Sequence, residues 1–240
     1  TGFSTQDFSP ALAMHNIDGS LDTGFGDNGI VILDDDLTRE SFGLDETPSG
    51  QIMLGATISE QSNAQIALYL FNGDGTLDDS FGTAGELIVD LPEDFIRFSK
   101  LIVQPDGKIL LGGTNFSDVI IARLNADGSP DTDFGQFSTN GYEFFDWGGN
   151  ERFYDMVLLD NGKIACSASS TLLTSNTQAL VIQIDSNGDY DTGFGFGGFA
   201  EIEIGNENVG ATITADGTDL LLGGSTPIPF EAPHFLARIS

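Results

Sequence analysis

Asn125-Ala-Asp-Gly-Ser-Pro-Asp-Thr-Asp-Phe-Gly135 is the stretch that decides the fold, because the chain carries it more than once. Close copies stand at Asn16 to Gly26 (NIDGSLDTGFG) and Asn72 to Gly82 (NGDGTLDDSFG), with a looser one at Asp185 to Gly195 (DSNGDYDTGFG). Their Phe-Gly pairs begin at Phe25, Phe81, Phe134 and Phe194, so the period runs from 53 (134 − 81) to 60 (194 − 134) residues. A repeat of that length is a supersecondary unit that buries its apolar face against its neighbours.

Working outward from the stretch, each repeat holds the same four pieces. After Phe-Gly comes a short run: Ile30 to Asp34, Leu87 to Asp90, Tyr142 to Asp146 and Ala200 to Ile204. The last two mix polar and apolar residues at strand spacing, and the first two are apolar enough for burial on both faces. A second run, clearest at Lys100 to Gln104 and Asp155 to Leu159, ends at Pro48-Ser-Gly50, Pro105-Asp-Gly107, Asn161-Gly162 or Asp216-Gly217. Gly, and Asn or Asp beside it, tolerate the positive φ of a tight hairpin turn.

The third run reads Gln51 to Thr57, Lys108 to Thr114, Lys163 to Ser169 and Asp219 to Ser225, with small residues after its apolar part that point to close backbone approach near a central axis. The fourth is Gln65 to Phe71, Val119 to Leu124, Ala179 to Ile184 and Phe235 to Ile239. Four short antiparallel strands per repeat, with no helical segment between them, predict an all-β chain of β-propeller blades. Stacked hairpins of a solenoid and an ordinary sandwich fit the irregular period less well.

From Pro105 to Gly135 the order PDGKILLGG, ARLNADGS, DTDFG resembles the delta-60 repeat, a bacterial β-propeller family, and the resemblance extends over the chain in four copies. It implies a propeller module within a large secreted or surface-exposed bacterial protein, and it brings no catalytic residues. The fourth copy departs most, with Asp185-Ser-Asn-Gly-Asp in place of Asn-x-Asp-Gly-Ser and Thr218 inserted after Asp216-Gly217. The expected organisation is one propeller segment: 1–17 as the last half of a blade, then blades at 18–71, 72–124, 125–184 and 185–240. That makes four complete blades and half of a preceding one, a partial ring that belongs to a longer parent chain.

The 240 residues suffice to bury roughly 70–75% of the unfolded chain's surface. Thirty-one Gly and 19 Phe suit strands and turns. A net charge of −29 repels nucleic acid and anionic lipid and favours basic or cation-bridged partners. No apolar run approaches the length of a membrane helix, so direct membrane insertion is not expected. The one cysteine, Cys166, lies in an apolar run and reads as a buried, inert thiol.

Candidate chemistry is sparse. With Asn125 at position 3 of an EF-hand-like loop, Asp127 falls at 5, Gly128 at 6 and Asp131 at 9, but Arg123 stands at 1 and Phe134 at 12. Weak structural calcium is one reading. The simpler one is that Asp-Gly turns the chain, Asp131 caps local amides and Phe134 fills the core.

His15 and His234 both flank fourth strands and read as strand-end residues. The cluster Asp34-Asp-Asp36 reads as a solvated loop, and Gly193 to Gly198 as a turn, since a strand rather than a helix follows it. Tyr142, Phe145 and Trp147 read as blade core, or else as an aromatic platform for a sugar or protein.

The function these features predict is a non-enzymatic extracellular or cell-surface scaffold. It would take a protein or glycan partner, or another part of its own parent chain, on blade loops. No catalytic, cofactor or metal residue is assigned. The alternatives are a carbohydrate-active enzyme using channel carboxylates and a subunit of a surface filament or secretion complex.

Overall fold

The structure is a computed structural model, and it describes residues 10–33, 39–60, 63–89, 97–115, 117–135, 140–171, 177–202, 209–226 and 234–239. The first nine residues of the expected half blade at 1–17 and the Asp34 to Asp36 loop lie outside these. Every regular element among the described residues is a β-strand.

Two compact units are distinguished. The first comprises Thr1–Phe95, Val103–Ile109 and Asn125–Ser129; the second comprises Ile96–Ile102, Leu110–Leu124 and Pro130–Ser240. In the first unit, β1 (Ala11–Ala13) pairs with β2 (Ile30–Ile32). Beside this ladder, β3 (Arg39–Glu46), β4 (Ile52–Glu60), β5 (Asn63–Phe71) and β6 (Glu86–Val89) form a four-stranded antiparallel sheet in chain order. Its core gathers Leu12, Phe25, Leu54, Tyr69 and Phe71.

The second unit holds most of the sheet made by β7 (Arg97–Val103), β8 (Ile109–Thr114), β9 (Val119–Leu124) and β10 (Tyr142–Phe145). It also contains the four-stranded sheet of β11 (Asn150–Leu158), β12 (Ile164–Thr171), β13 (Thr177–Ile184) and β14 (Phe199–Ile202). A three-stranded sheet follows, made of β15 (Val209–Asp216), β16 (Asp219–Ser225) and β17 (His234–Ile239).

Alternation along β12 and β13 feeds two cores. Ile164, Cys166, Ala168, Leu180 and Ile182 join the cluster around Phe134 and Phe145, whereas Ala165, Ala179 and Val181 join Ile213 and Leu222. A period of two residues sends neighbouring side chains to opposite faces, so this sheet is buried on both.

The sheets are one strand out of step with the repeat. The run after each Phe-Gly pairs backwards, β2 with β1, β6 with β5, β10 with β9 and β14 with β13. A blade is thus three strands of one repeat closed by the first strand of the next, not the spans 18–71, 72–124 and 125–184 drawn from the sequence. The cause lies in the repeated stretch: Asp22, Asp78, Asp131 and Asp191 begin a turn whose Phe N–H returns to the Asp carbonyl, at 2.9–3.0 Å in each copy. That turn sends the chain back along the strand it has just left.

Burial of the first two of these runs is one-sided rather than two-sided: Ile30, Ile32 and Ile88 are exposed, while Val31 packs against the core and Val89 is buried. The glycines of the third run do permit close approach, to a neighbouring ring and a neighbouring strand. A Cβ on Gly112 would lie 2.3 Å from the Phe153 ring, and one on Gly113 would lie 2.3 Å from the Arg97 carbonyl.

Candidate functional site

The repeated stretch is a blade connector. Its Asp-Gly turn is closed by Asn125 N–H donating to Ser129 O at 2.8 Å, and Asp127 Oδ1 accepts both the N–H and the hydroxyl of Ser129, at 2.9 and 2.7 Å. Asp18 and Asp74 repeat this bonding with Ser20 and Thr76. The hydroxyl bond first and the amide bond second hold all three carboxyls below their ordinary pKa.

Between repeats, Gly26 N–H donates to Asp74 O and Gly135 N–H to Asn187 O, each at 2.8 Å. Gly75 and Gly188, at φ +86° and +91°, lie over those amides. A Cβ would come within 2.8 Å of Gly26 N at one and 2.9 Å of the Phe134 ring at the other. Only glycine fits both the backbone angle and the space.

Asp131, counted in sequence as a loop ligand, is engaged elsewhere. Its Oδ2 accepts from Arg123 Nε at 2.6 Å with both side chains buried, and its Oδ1 accepts from Asp133 N–H at 3.3 Å. The Arg123 guanidinium stands 4.5 Å above the Phe134 ring and also donates to Ser186 O. In other copies a donor from the third run takes the Arg position. Gln51 Nε2 reaches Asp78 Oδ2 at 2.6 Å, and Lys163 Nζ reaches Asp191 Oδ2 at 2.5 Å. Phe134 is fully buried, as read from the sequence.

His15 lies beside β1 with Nδ1 3.1 Å from Gly19 O, and His234 opens β17; both are exposed strand-end residues. Gly193 to Gly198 is a turn leading into β14. Cys166 is buried in β12, and that burial pushes its thiol far above the ordinary value.

The aromatic run divides. Tyr142 and Phe145 are core, while Trp147 is half-buried and stacks on Phe145 at 6.4 Å between centroids. Trp147 meets Phe199 edge-on at 5.9 Å, and Phe199 meets Phe196 at 6.1 Å. Phe196 is 83% exposed. A ladder of rings thus climbs from the core to solvent, ending in the Gly193 to Gly198 turn.

A second feature was not legible in the sequence. Asp118, Asp146 and Glu151 each offer a carboxylate oxygen, and the three oxygens lie within 4.8 Å of one another. Asp118 precedes β9 and Asp146 follows β10; since Val119 pairs with Phe145, the two acids continue the register by one step. Glu151, near the start of β11, is brought there by its N–H donating to Ser117 O at 2.6 Å.

Glu151 is 1% exposed. Its Oε1 accepts from Ser170 Oγ at 2.7 Å and Gly149 N–H at 3.1 Å, and its Oε2 has no hydrogen-bond partner. Burial raises its pKa, the bonds from Ser170 and Gly149 oppose that, and the charges of Asp146 and Asp118 raise it further. Among the described residues, no ion pair involves any of the three acids.

Residues 47–81 and 104–134 match the family described as a domain of unknown function (DUF5122) beta-propeller. No curated protein matches the chain in sequence. Among solved structures it is similar to a protein of unknown function from Bacteroides caccae, with 12% identity and a TM-score of 0.46, over 90% of this chain and 65% of that one. It thus spans less than two thirds of that protein's length.

It is also similar to a streptogramin B lyase (13% identity, TM-score 0.36, 85% and 73% of the two chains). A catalytically inactive virginiamycin B lyase from Staphylococcus aureus with quinupristin gives 13% identity and a TM-score of 0.30 over 84% of each chain. The antiparallel four-stranded sheets are those expected of propeller blades, and the two matched segments support a β-propeller repeat.

Proposed function

We propose that this chain is a non-enzymatic binding module, a propeller scaffold of an extracellular or cell-surface bacterial assembly that takes a protein or glycan partner on its blade loops. The order PDGKILLGG, ARLNADGS, DTDFG supports placing it among delta-60 repeats. The observation that carries the reading is the ring ladder ending at Phe196. An 83% exposed ring braced edge-to-face on Phe199, which itself meets Trp147, is an anchor held ready for an apolar or sugar face. The net charge of −29 favours basic or cation-bridged partners around it.

The acid cluster favours a second reading, a carbohydrate-active enzyme with Glu151 as general acid. A general acid must touch its substrate, and the 1% exposure of Glu151 weighs against that role. Affinity electrophoresis through gels cast with soluble polysaccharides, alongside pull-down from bacterial surface extracts, tests both. Retention or capture by the wild type that Phe196→Ala loses, without new reducing ends, supports a binding module. Release of reducing ends abolished by Glu151→Gln overturns it.

A further inference from the structure

The unpaired oxygen of Glu151 is the observation that turns three acids into a site. A buried carboxylate ordinarily has its lone pairs filled or its charge matched. Glu151 is 1% exposed with Oε2 unpartnered, and the charges within reach are two more carboxylates. Protonation would relieve only part of the repulsion, with a neighbouring carboxylate as acceptor, and would leave the other two charges unmatched. A cation removes both difficulties at once.

The donor set selects its class. All three side-chain donors are oxygen, with neither imidazole nor thiolate, which disfavours zinc and the later transition metals. Magnesium keeps most of its water and takes one or two carboxylates in a strict octahedron, whereas calcium accepts several carboxylates in irregular geometry and completes its shell with carbonyls and water.

We propose that Asp118, Asp146 and Glu151 form a calcium site that pins the open end of the β9–β10 ladder to the first turn of chain in β11. Asp146 and Asp118 supply the solvent-facing ligands, and Glu151 supplies the buried one, held in place by Ser170 and Gly149. Asn115 Nδ2 steadies Asp118 Oδ2 at 3.2 Å, and Gly148 N–H steadies Asp146 Oδ1 at 2.6 Å. The site is independent of whether the ring ladder binds a partner. It is also separate from the Asp-Gly turns, whose carboxylates are bonded to their own Ser or Thr.

The chain offers its own reporter, since Trp147, its one tryptophan, follows Asp146 directly. The full chain, stripped with EDTA, is titrated with terbium while tryptophan is excited, and the terbium is then displaced with calcium or magnesium. In parallel the thermal midpoint is read with and without calcium at fixed ionic strength. The expected result is saturable emission displaced by calcium well before magnesium, and a midpoint that calcium raises and EDTA lowers again. Asp146→Asn, at an exposed position, weakens calcium by about tenfold or more because a ligand charge is lost. Glu151→Gln weakens it too, and Asp79→Asn, at an exposed acid far from the cluster in sequence, leaves it unchanged. Absent or non-saturable emission, magnesium displacing as well as calcium, or equal losses in Asp146→Asn and Asp79→Asn would overturn the site.

Discussion

Asp131 and Glu151 are two acids of the second unit, exposed by 4% and 1%, and they have opposite fates. Asp131 has an arginine at 2.6 Å, a backbone amide and a phenylalanine ring that completes the arginine's surroundings. Glu151 has two neutral donors on one oxygen, none on the other, and like charges beside it. The first acid belongs to the repeat and recurs with a donor opposite it in other copies. The second has no counterpart in the repeated stretch. The contrast teaches that repetition marks the acids that build blades, while the acid that breaks the pattern is the one whose chemistry is left over.

The largest test of this contrast is Asp131→Asn. It strands Arg123 at 6% exposure with its charge unmatched, and a loss of about 3–5 kcal/mol in a denaturant titration is expected. A loss below about 1 kcal/mol would mean the pair behaves as a surface contact and the contrast fails.

Asp155 is an intermediate case. Burial would raise its pKa, but bonds from Lys100 (2.9 Å), Thr212 (2.9 Å) and Ile213 N–H (3.2 Å) overcome this and leave it below the ordinary value. A depressed folded-state pKa means its contribution is present above the unfolded value, about 4, and is lost as pH falls through the folded one. Asp155→Asn should therefore lose about 1–2 kcal/mol at neutral pH, a figure reduced for the 38% exposure of Lys100. Denaturation midpoints should converge with the wild type as pH falls through the folded-state value. A gap independent of pH would show that packing, not charge, sets the effect.

Glu151→Gln should have the opposite sign in metal-free buffer, a gain of up to about 1 kcal/mol, since it removes one of three crowded charges while Oε1 keeps both donors. A loss like that of Asp131→Asn would erase the distinction between the two acids. The smallest effect is expected at Phe196→Ala, within about 0.5 kcal/mol of wild type in stability, because the ring is exposed.

What the sequence conveys follows from how local each decision is. Turns at Pro105-Asp-Gly107 and Asn161-Gly162, and the buried runs after them, are set by φ preferences and period-two apolarity within a few residues, so the strands were legible. Which sheet takes the run after Phe-Gly is not local. It depends on the turn at Asp22, Asp78, Asp131 and Asp191 reversing the chain, and the same residues would read equally well as the start of a new blade.

The acid cluster is less legible still. Asp118 and Asp146 become neighbours only through the register of β9 on β10, and Glu151 joins them from β11, whose own register on β12 shifts between Phe153 and Asp155. Nothing within Asn150-Glu-Arg152 marks Glu151 for burial, yet its amide donates to Ser117 O and its side chain lies inside. Phe196 was missed for the reverse reason: among so many glycines it looked like part of a turn, and only its exposure sets it apart.

The one-strand offset between sheet and repeat also governs how the chain is born. A nascent chain that has released Phe71 has three strands of its sheet, and the fourth begins only at Glu86, 15 residues later (86 − 71). The wait recurs between Leu124 and Tyr142, and between Ile184 and Phe199. During each interval the newest edge is β5, β9 or β13, and every residue of β9 ends up buried. An apolar edge open during synthesis invites pairing with other chains. On the ribosome, the connector with its glycines and aspartates is therefore also a timer, since its length sets how long each unfinished sheet stays open.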